Sequence, residues 1–527
     1  MEKRVLIATF LSMMIIFLFW QAFQKPPTAN NQPNSVKPME TVKIPASSTL
    51  ANTAHENPAV AEPTRQAGQR ISIQTNTSKI SIGTKGGGIA AWQIKDKNGT
   101  WVDIAPTTAE TQHLLTLDTK QAPYLAAVLF TSDKKDIVLH DSEQANITLT
   151  GKTPEGLEII RTYSFTGEGY LVKTSGIFKN TSNAPLTVPD FNLWWGPGLN
   201  PLNIKANQNT ANAWIDGKII RKMKPELKTG AIRWAALDNQ YFIVALLPQQ
   251  APFTGVISER NSAKQISVGL TSQAGLLSPG ETSQYQLDVY AGPKEYHTLK
   301  TLGPKLEEMV GFGYLGKFVY VILEAINKVV QNYGWAIIIL TLMMQAVLLP
   351  LTLKSYKSMK EMQDLQPLMK QLQEKYKTEP QRLNVEVMNL YKTHKVNPFG
   401  GCLPMLLQLP IFFALFNTIK NAVELRNAPF IFWIKDLSLP DTVFALAGVN
   451  INILPLLMGI GMFVQQKMTA TDPQQAKMMM FMPVIFTVMF WGFPSGLVLY
   501  WFVNSLVSMI GQYVIMHKKP PKVEVVS

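Results

Sequence analysis

The chain has 527 residues, 46% of them hydrophobic and 16% charged, with a net charge of +13. That balance is too apolar for an ordinary soluble protein, and the length leaves room for several domains. The single cysteine, Cys402, excludes a disulfide framework, a thiolate metal site and a lipid-modified N-terminal cysteine, and the basic residues, gathered beside apolar blocks, read as a record of membrane orientation before a nucleic-acid footprint.

Met1-Glu2-Lys3-Arg4 and the apolar run to Phe23 have the charge order of a signal sequence. The run is long for a signal core, and Gln21-Ala22-Phe23-Gln24 offers no small-x-small cleavage site. Residues 1–23 are therefore read as an uncleaved transmembrane anchor with a cytoplasmic N-terminus. Residues 24–69, rich in Pro, Thr, Asn, Ala and Ser, have no hydrophobic period and form a flexible linker. From 70 to 292 short alternating runs such as Ile71-Ser72-Ile73, Ile147-Thr148-Leu149 and Tyr163-Ser164-Phe165 predict antiparallel strands with one buried face, hence an all-β sandwich. His55, His113, His140 and His297 lack metal-ligand spacing, and no nucleophile and base pair up, so a binding or spacer role is expected there.

Residues 293–333 connect this domain to the rest. Leu315, Phe318, Val319, Ile322, Ile326, Val329 and Val330 recur at helical spacing, predicting an amphipathic helix lying on the membrane surface. Gly311 to Phe318 imitates both a dinucleotide fingerprint and a phosphate-binding loop, but Phe318 replaces the needed hydroxyl and no strand precedes the glycines. No nucleotide or other cofactor is expected.

Five further apolar blocks, at 335–353, 403–423, 451–466, 478–493 and 496–515, approach the roughly 20 residues that a bilayer demands, so residues 334–516 are read as a five-span helical membrane core. The 354–396 loop carries nine basic residues (Lys354, Lys357, Lys360, Lys370, Lys375, Lys377, Arg382, Lys392 and Lys395) and the short tail 517–527 carries Lys518, Lys519 and Lys522. Both are assigned to the cytoplasm, and both termini with them. Met359, Met362, Leu365, Leu368, Met369 and Leu372, then Leu383, Val387 and Leu390 across the Thr378-Glu379-Pro380 turn, make the loop a helical hairpin. Packing within a solvated helix pair explains its methionines and lysines, and so does a basic, adaptable surface for ribosomal RNA or nascent chains.

Within the blocks the polar residues are informative, because each needs a partner or water inside hydrocarbon. They are Thr341, Gln345, Gln408, Asn417, Thr487 and the series Tyr500, Asn504, Ser508, Gln512, which recurs every fourth residue as one helical stripe. One amide is ordinary interhelical glue. Polar positions on four helices imply either a hydrated cavity or a dense hydrogen-bonded core, and the lack of intramembrane Asp, Glu or Arg argues against a proton-coupled pump.

Asn397-Pro398-Phe399-Gly400-Gly401-Cys402-Leu403-Pro404, Gln408 to Leu415, Glu424 to Phe430, Phe481 to Phe486 and Phe493 to Tyr500 together resemble the YidC membrane protein insertases of the YidC/Oxa family. The motifs span 335–515, while the anchor and large periplasmic domain resemble the Gram-negative form by layout. The resemblance implies a bacterial inner-membrane insertase and chaperone with residues 24–333 in the periplasm, a mutarotase-like supersandwich, and a hydrophilic groove open to cytoplasm and lipid that works without nucleotide hydrolysis. It implies groove residues at Thr341, Gln345, Gln408, Asn417, Tyr500, Trp501, Asn504 and Ser508, a greasy slide at Leu409, Phe412, Val484 and Val488, and a cytoplasmic hairpin bearing Lys357, Lys360, Lys370, Lys375 and Lys377. Nascent membrane proteins, the Sec translocon with its accessory subunits, and the ribosome or signal recognition particle pathway are the implied partners, with no small-molecule substrate. The family's groove arginine corresponds to Gln345, and a position often tyrosine corresponds to Trp501. A channel or secondary transporter is the alternative; no inverted repeat supports it.

Overall fold

The computed structural model describes residues 69–516 apart from 96–98, 100, 106–113, 120–121, 200–207, 251, 398–402, 447 and 470–480. The anchor 1–23, nearly all of the linker 24–69 and the tail 517–527 lie outside the described residues.

Strands occupy the chain from Arg70–Gln74 to Thr282–Pro293. The strands form a nine-stranded sheet and two five-stranded sheets, whose inner faces share one apolar core. Leu157–Thr166 shows why: its inward positions Leu157, Ile159, Arg161, Tyr163 and Phe165 alternate with the outward Glu158, Ile160, Thr162 and Ser164. Two features depart from the expected pattern. Arg70–Gln74 pairs in parallel with Ile137–Val138. Phe242–Gln250 is buried on both faces from Phe242 to Leu247, because the connector folds back over it: Trp234 Nε1 donates to Pro304 O at 2.9 Å, and Gly303 sits against Leu247 and Trp234. The second face is dry, so alternation disappears.

The connector holds a short helix α1 (Tyr296–Leu302) and a 3₁₀ turn, Leu306–Val310, before α2 (Gly313–Val330). The glycines of the nucleotide-like motif thus follow a 3₁₀ turn and have no preceding strand. α2 divides its apolar residues between two faces. Val319, Tyr320 and Leu323 are buried on the protein, whereas Tyr314, Leu315, Phe318, Val321 and Val329 are bare. Tyr320 Oη donates to Glu424 Oε1 at 2.9 Å, and burial, then Glu424, push its pKa up.

The helical region comprises α3 (Tyr333–Asp364), α4 (Gln366–Lys375), α5 (Pro380–Thr393), α6 (Leu403–Asn421), α7 (Ile453–Thr469), α8 (Met482–Phe490) and α9 (Ser495–Met516). The Asn332 side chain accepts from Gly334 N and Trp335 N and so starts α3. α3 does not end near Leu353 but continues unbroken to Asp364, so the first arm of the hairpin prolongs the apolar helix. α4 and α5 bury no side chain; Tyr391 Oη reaches Met369 Sδ across them at 3.1 Å.

Contacts give each helix its direction. Ile337 abuts Gly496, Gln345 meets Asn504, and Lys360 Nζ approaches Ile515 O at 3.5 Å, so α3 and α9 run parallel. Gln408 meets Tyr500 while Phe416 lies 5.7 Å from Phe493, so α6 runs against them. Asn452 joins Trp491 O and Gln363 Nε2 joins Met468 O at 2.9 Å, which sets α7 parallel to α3. Gly459 lets Thr487 of α8 approach its backbone closely.

The sandwich meets this bundle at one end. Gln240 Nε2 donates to Lys420 O at 2.9 Å, and the Arg426 guanidinium lies 5.7 Å above the Tyr241 ring. Behind that joint Lys294 Nζ is buried 2.8 Å from Asp238 Oδ2. Asp238 Oδ1 also accepts from Thr210 and Asn212, so the ion pair is fully hydrogen-bonded.

Candidate functional site

Positions four apart on a helix drift by about 40° per step. The stripe on α9 therefore changes neighbour as it descends. Tyr500 Oη accepts from Gln408 Nε2 of α6, whereas Asn504 Oδ1, one turn on, accepts from Gln345 Nε2 of α3. Further down, Gly511 packs on the Tyr356 ring, and Lys360 approaches the last carbonyls of α9. α3 packs closely along α9, whereas α6 touches both α3 and α9 only sparsely. The two amide nodes thus lie in the cleft between them, with Gln345, Gln408 and Asn504 half-buried and Tyr500 buried.

One end of the cleft is closed. A side chain on Gly496 would run into Leu437 O, Ile337 and Ile419 at 3.1–3.5 Å, and Ser495 Oγ donates to Asp436 O at 2.8 Å. Leu425, Ile434 and Leu437 of the connecting segment are buried over the same end. This is the end that carries the sandwich joint; the α4–α5 hairpin lies at the other.

Several expected site residues stand elsewhere. Asn417 lies nine residues beyond Gln408 in the sequence, about two and a half turns, and so projects from the opposite side of α6, where Thr418 bonds Gly316 O of α2 at 2.9 Å. Trp501 is one residue from Tyr500 and turns away from the amides into an aromatic cluster, 5.4 Å from Phe412 and 5.3 Å from Phe490. Thr341 is buried and spends its hydroxyl on Ile337 O of its own helix at 2.7 Å; Thr487 does the same with Pro483 O. Ser508 is half-buried on the α3 side. Of the four slide positions, Leu409, Val484 and Val488 are 45%, 60% and 68% exposed, but Phe412 is 8% exposed, because the aromatic cluster that includes Trp501 encloses it. Lys357, Lys370, Lys375 and Lys377 are exposed on the hairpin, and Lys360 is half-buried against α9. Among the described residues no group of His, Cys, Asp and Glu could hold a metal ion.

Tyr333–Asp364 and Ser495–Ile515 are long and apolar enough to cross a membrane, and Ile453–Met468 is a shorter apolar helix. Such helices, with bare Val, Leu and Ile outside and paired amides inside, define a membrane-embedded helical core carrying a β domain at one end. The family model described as the 60Kd inner membrane protein matches residues 325–522, and that of the YidC periplasmic domain matches 70–326. The membrane protein insertase YidC of Endomicrobium trichonymphae is 38% identical, with 98% of each chain covered. That of Geotalea daltonii is 36% identical over 99% of this chain and 100% of that one. A solved structure described as an active YidC insertase with its first transmembrane domain resolved covers 86% of this chain and 93% of that one, at 17% identity and a TM-score of 0.39. The chain belongs to the YidC membrane protein insertase family, as an inner-membrane insertase with a periplasmic domain.

Proposed function

We propose that the cleft between α3, α6 and α9 receives the polar portion of an incoming polypeptide while its apolar segment enters lipid beside Leu409, Val484 and Val488. The side-chain pairs in the cleft, the two amides of Gln345 and Asn504 and the Gln408 amide on the Tyr500 hydroxyl, carry this reading. A peptide group taken unpaired into hydrocarbon costs several kcal/mol. A glutamine or asparagine amide offers the same donor and acceptor as a peptide group, so either node can exchange its partner for the client's backbone and lower that barrier without nucleotide hydrolysis.

On this reading the N-terminal anchor and five spans cross the inner membrane with both termini in the cytoplasm, and residues 24–333 lie in the periplasm. The alternating helix directions support that topology, and the seal at Gly496 supports a one-ended groove over a channel. The basic hairpin, with Lys357, Lys370, Lys375 and Lys377 bare, is the surface for the ribosome or signal recognition particle pathway. The sandwich serves the Sec translocon and its accessory subunits as a partner surface, and nascent membrane proteins are the clients. With Gln345 in place of a groove arginine, hydrogen bonding and hydration, not a fixed charge, dock the client. In proteoliposomes, insertion of a short membrane protein is expected to depend little on acidic residues in its translocated tail, and Gln345→Arg is expected to create that dependence. A strong requirement for acidic tails in the native protein would refute this.

A further inference from the structure

The segment between the sandwich joint and α7 ends in a two-stranded hairpin, Thr442–Leu446 paired with Val449–Asn452. Its register puts Phe444 opposite Ile451 and Ala445 opposite Asn450, with a bulge between Thr442 and Phe444. Directly opposed residues share a face and alternate residues change face. Phe444, Leu446 and Ile451 therefore form one large apolar face, while the other carries Ala445 and Asn450, with Val443 in the bulge.

The second strand is tied to the protein. Trp491 Nε1 donates to Asn450 O at 2.8 Å, Thr442 Oγ1 to Asn452 Oδ1 at 2.8 Å, and Asn452 Nδ2 to Trp491 O at 2.5 Å. Just before the hairpin, Asp441 Oδ2 accepts from Leu454 N at 2.6 Å and from Trp433 Nε1 at 2.9 Å. The base is thus pinned to the first turn of α7, yet every residue of Thr442–Leu446 is exposed, Phe444 by 53% and Leu446 by 65%. A lone two-stranded hairpin is at best marginal in water, and bare apolar strands invite aggregation.

What covers this face follows from its continuity. No charged residue occurs from Thr442 to Gln466, and the apolar surface runs from the hairpin into the exposed Leu456, Ile460 and Val464 of α7. Indole rings that are anchored by their N–H groups mark the level of a membrane–water boundary, and Trp433 and Trp491 stand at the hairpin's base.

We propose that hairpin 442–452 is a lipid-seated ledge whose Phe444, Leu446 and Ile451 face rests at the headgroup–acyl boundary of the outer leaflet. This rests on the reading of α3 and α6 to α9 as membrane spans. α2 packs on α3 and α6, with its own bare face of Leu315, Phe318 and Val329, whereas the hairpin grows from α7 and α8. The two elements brace opposite flanks of the bundle and hold the amide cleft at a set depth and tilt.

The test uses the full-length chain, with Cys402→Ser, in phosphatidylethanolamine–phosphatidylglycerol vesicles, carrying an environment-sensitive fluorophore on Phe444→Cys. Brominated lipids supply shallow and deep quenchers. The expected result is blue-shifted emission from position 444, quenched at least twofold better by shallow than by deep bromines. A probe on Val484→Cys should be quenched by deep bromines, and one on the sandwich at Ser262→Cys should be unaffected. Position 444 behaving like 262 while 484 is quenched would overturn the ledge alone; loss of quenching at 484 as well would overturn the membrane-core reading beneath it. A blue shift at 444 that appears only when a client polypeptide is added would overturn the lipid assignment in favour of a polypeptide contact. Leu446→Cys with Phe444→Glu should show at least a threefold loss of shallow quenching, and unchanged quenching would count against the proposal.

Discussion

Arg161 in the sandwich and the cleft amides in the helical bundle are both polar groups in apolar surroundings, but they are satisfied in opposite ways. In the sandwich Arg161 takes an inward strand position and is fully buried. It donates to Gly86 O at 3.1 Å and Leu115 O at 2.6 Å, and the neighbouring Tyr163 donates to Gly87 O at 2.7 Å. These side chains are spent on the protein's own main chain, and no visiting molecule can replace those partners without unfolding a strand. In the bundle the amides are spent on other side chains between helices, Gln345 on the Asn504 amide and Gln408 on the Tyr500 hydroxyl, where a client's peptide group can take the partner's place. Main-chain partners make a polar group structural; exchangeable side-chain partners make it available for work.

That contrast can be broken experimentally at several strengths. The largest effect is expected at the sandwich joint: Lys294→Ala strands Asp238 without its buried partner and should cost about 3–5 kcal/mol. Thermal unfolding of the purified full-length chain would show it as a lowered sandwich transition. A weaker probe is Tyr163, whose pKa burial raises from the ordinary 10.0 to about 12. Its folded-state pKa lies above the unfolded one, so its contribution is whole below pH 10 and drains away as pH climbs toward 12. Alkaline titration of stability should show that slope, and Tyr163→Phe should make it shallower. The smallest change in stability is expected at the amide nodes. Gln345→Leu or Asn504→Leu should cost on the order of 1 kcal/mol, yet should slow insertion in proteoliposomes several-fold. A large loss of stability with insertion intact would place the amides in the structural class after all.

Much of the architecture is legible in the residue pattern, because the sandwich strands alternate and the helices are long apolar runs. What escapes it depends on neighbours distant in sequence. Alternation fails at Phe242 to Leu247 because residues near 303 cover the second face. The end of α3 escapes because Ser355 and Tyr356 are buried against α9, so the helix keeps tertiary support after its apolar letters stop. The hairpin 442–452 is too short and too bare to stand out from loop. In the site, polar letters inside apolar runs mark Gln345, Gln408, Tyr500 and Asn504. Only the mutual register of α3, α6 and α9 reveals which pairs form, and the same register sends Asn417, Trp501 and Phe412 elsewhere. The close fit of Gly496 beneath its seal leaves one trace in sequence, the absence of a side chain.

α3 also has a mechanical meaning. Its 32 residues make a shaft of about 48 Å that joins the amide-bearing cleft to the base of the basic hairpin without an intervening loop. Pro350 is the one proline inside it, where a missing N–H and a crowded ring weaken the helix without breaking it. It falls just beyond Gln345 on the hairpin side. Beyond it Tyr356 and Lys360 still brace the shaft on α9 and Gln363 braces it on α7, so a load on the hairpin passes into both neighbouring helices and Gln345 keeps its register with Asn504.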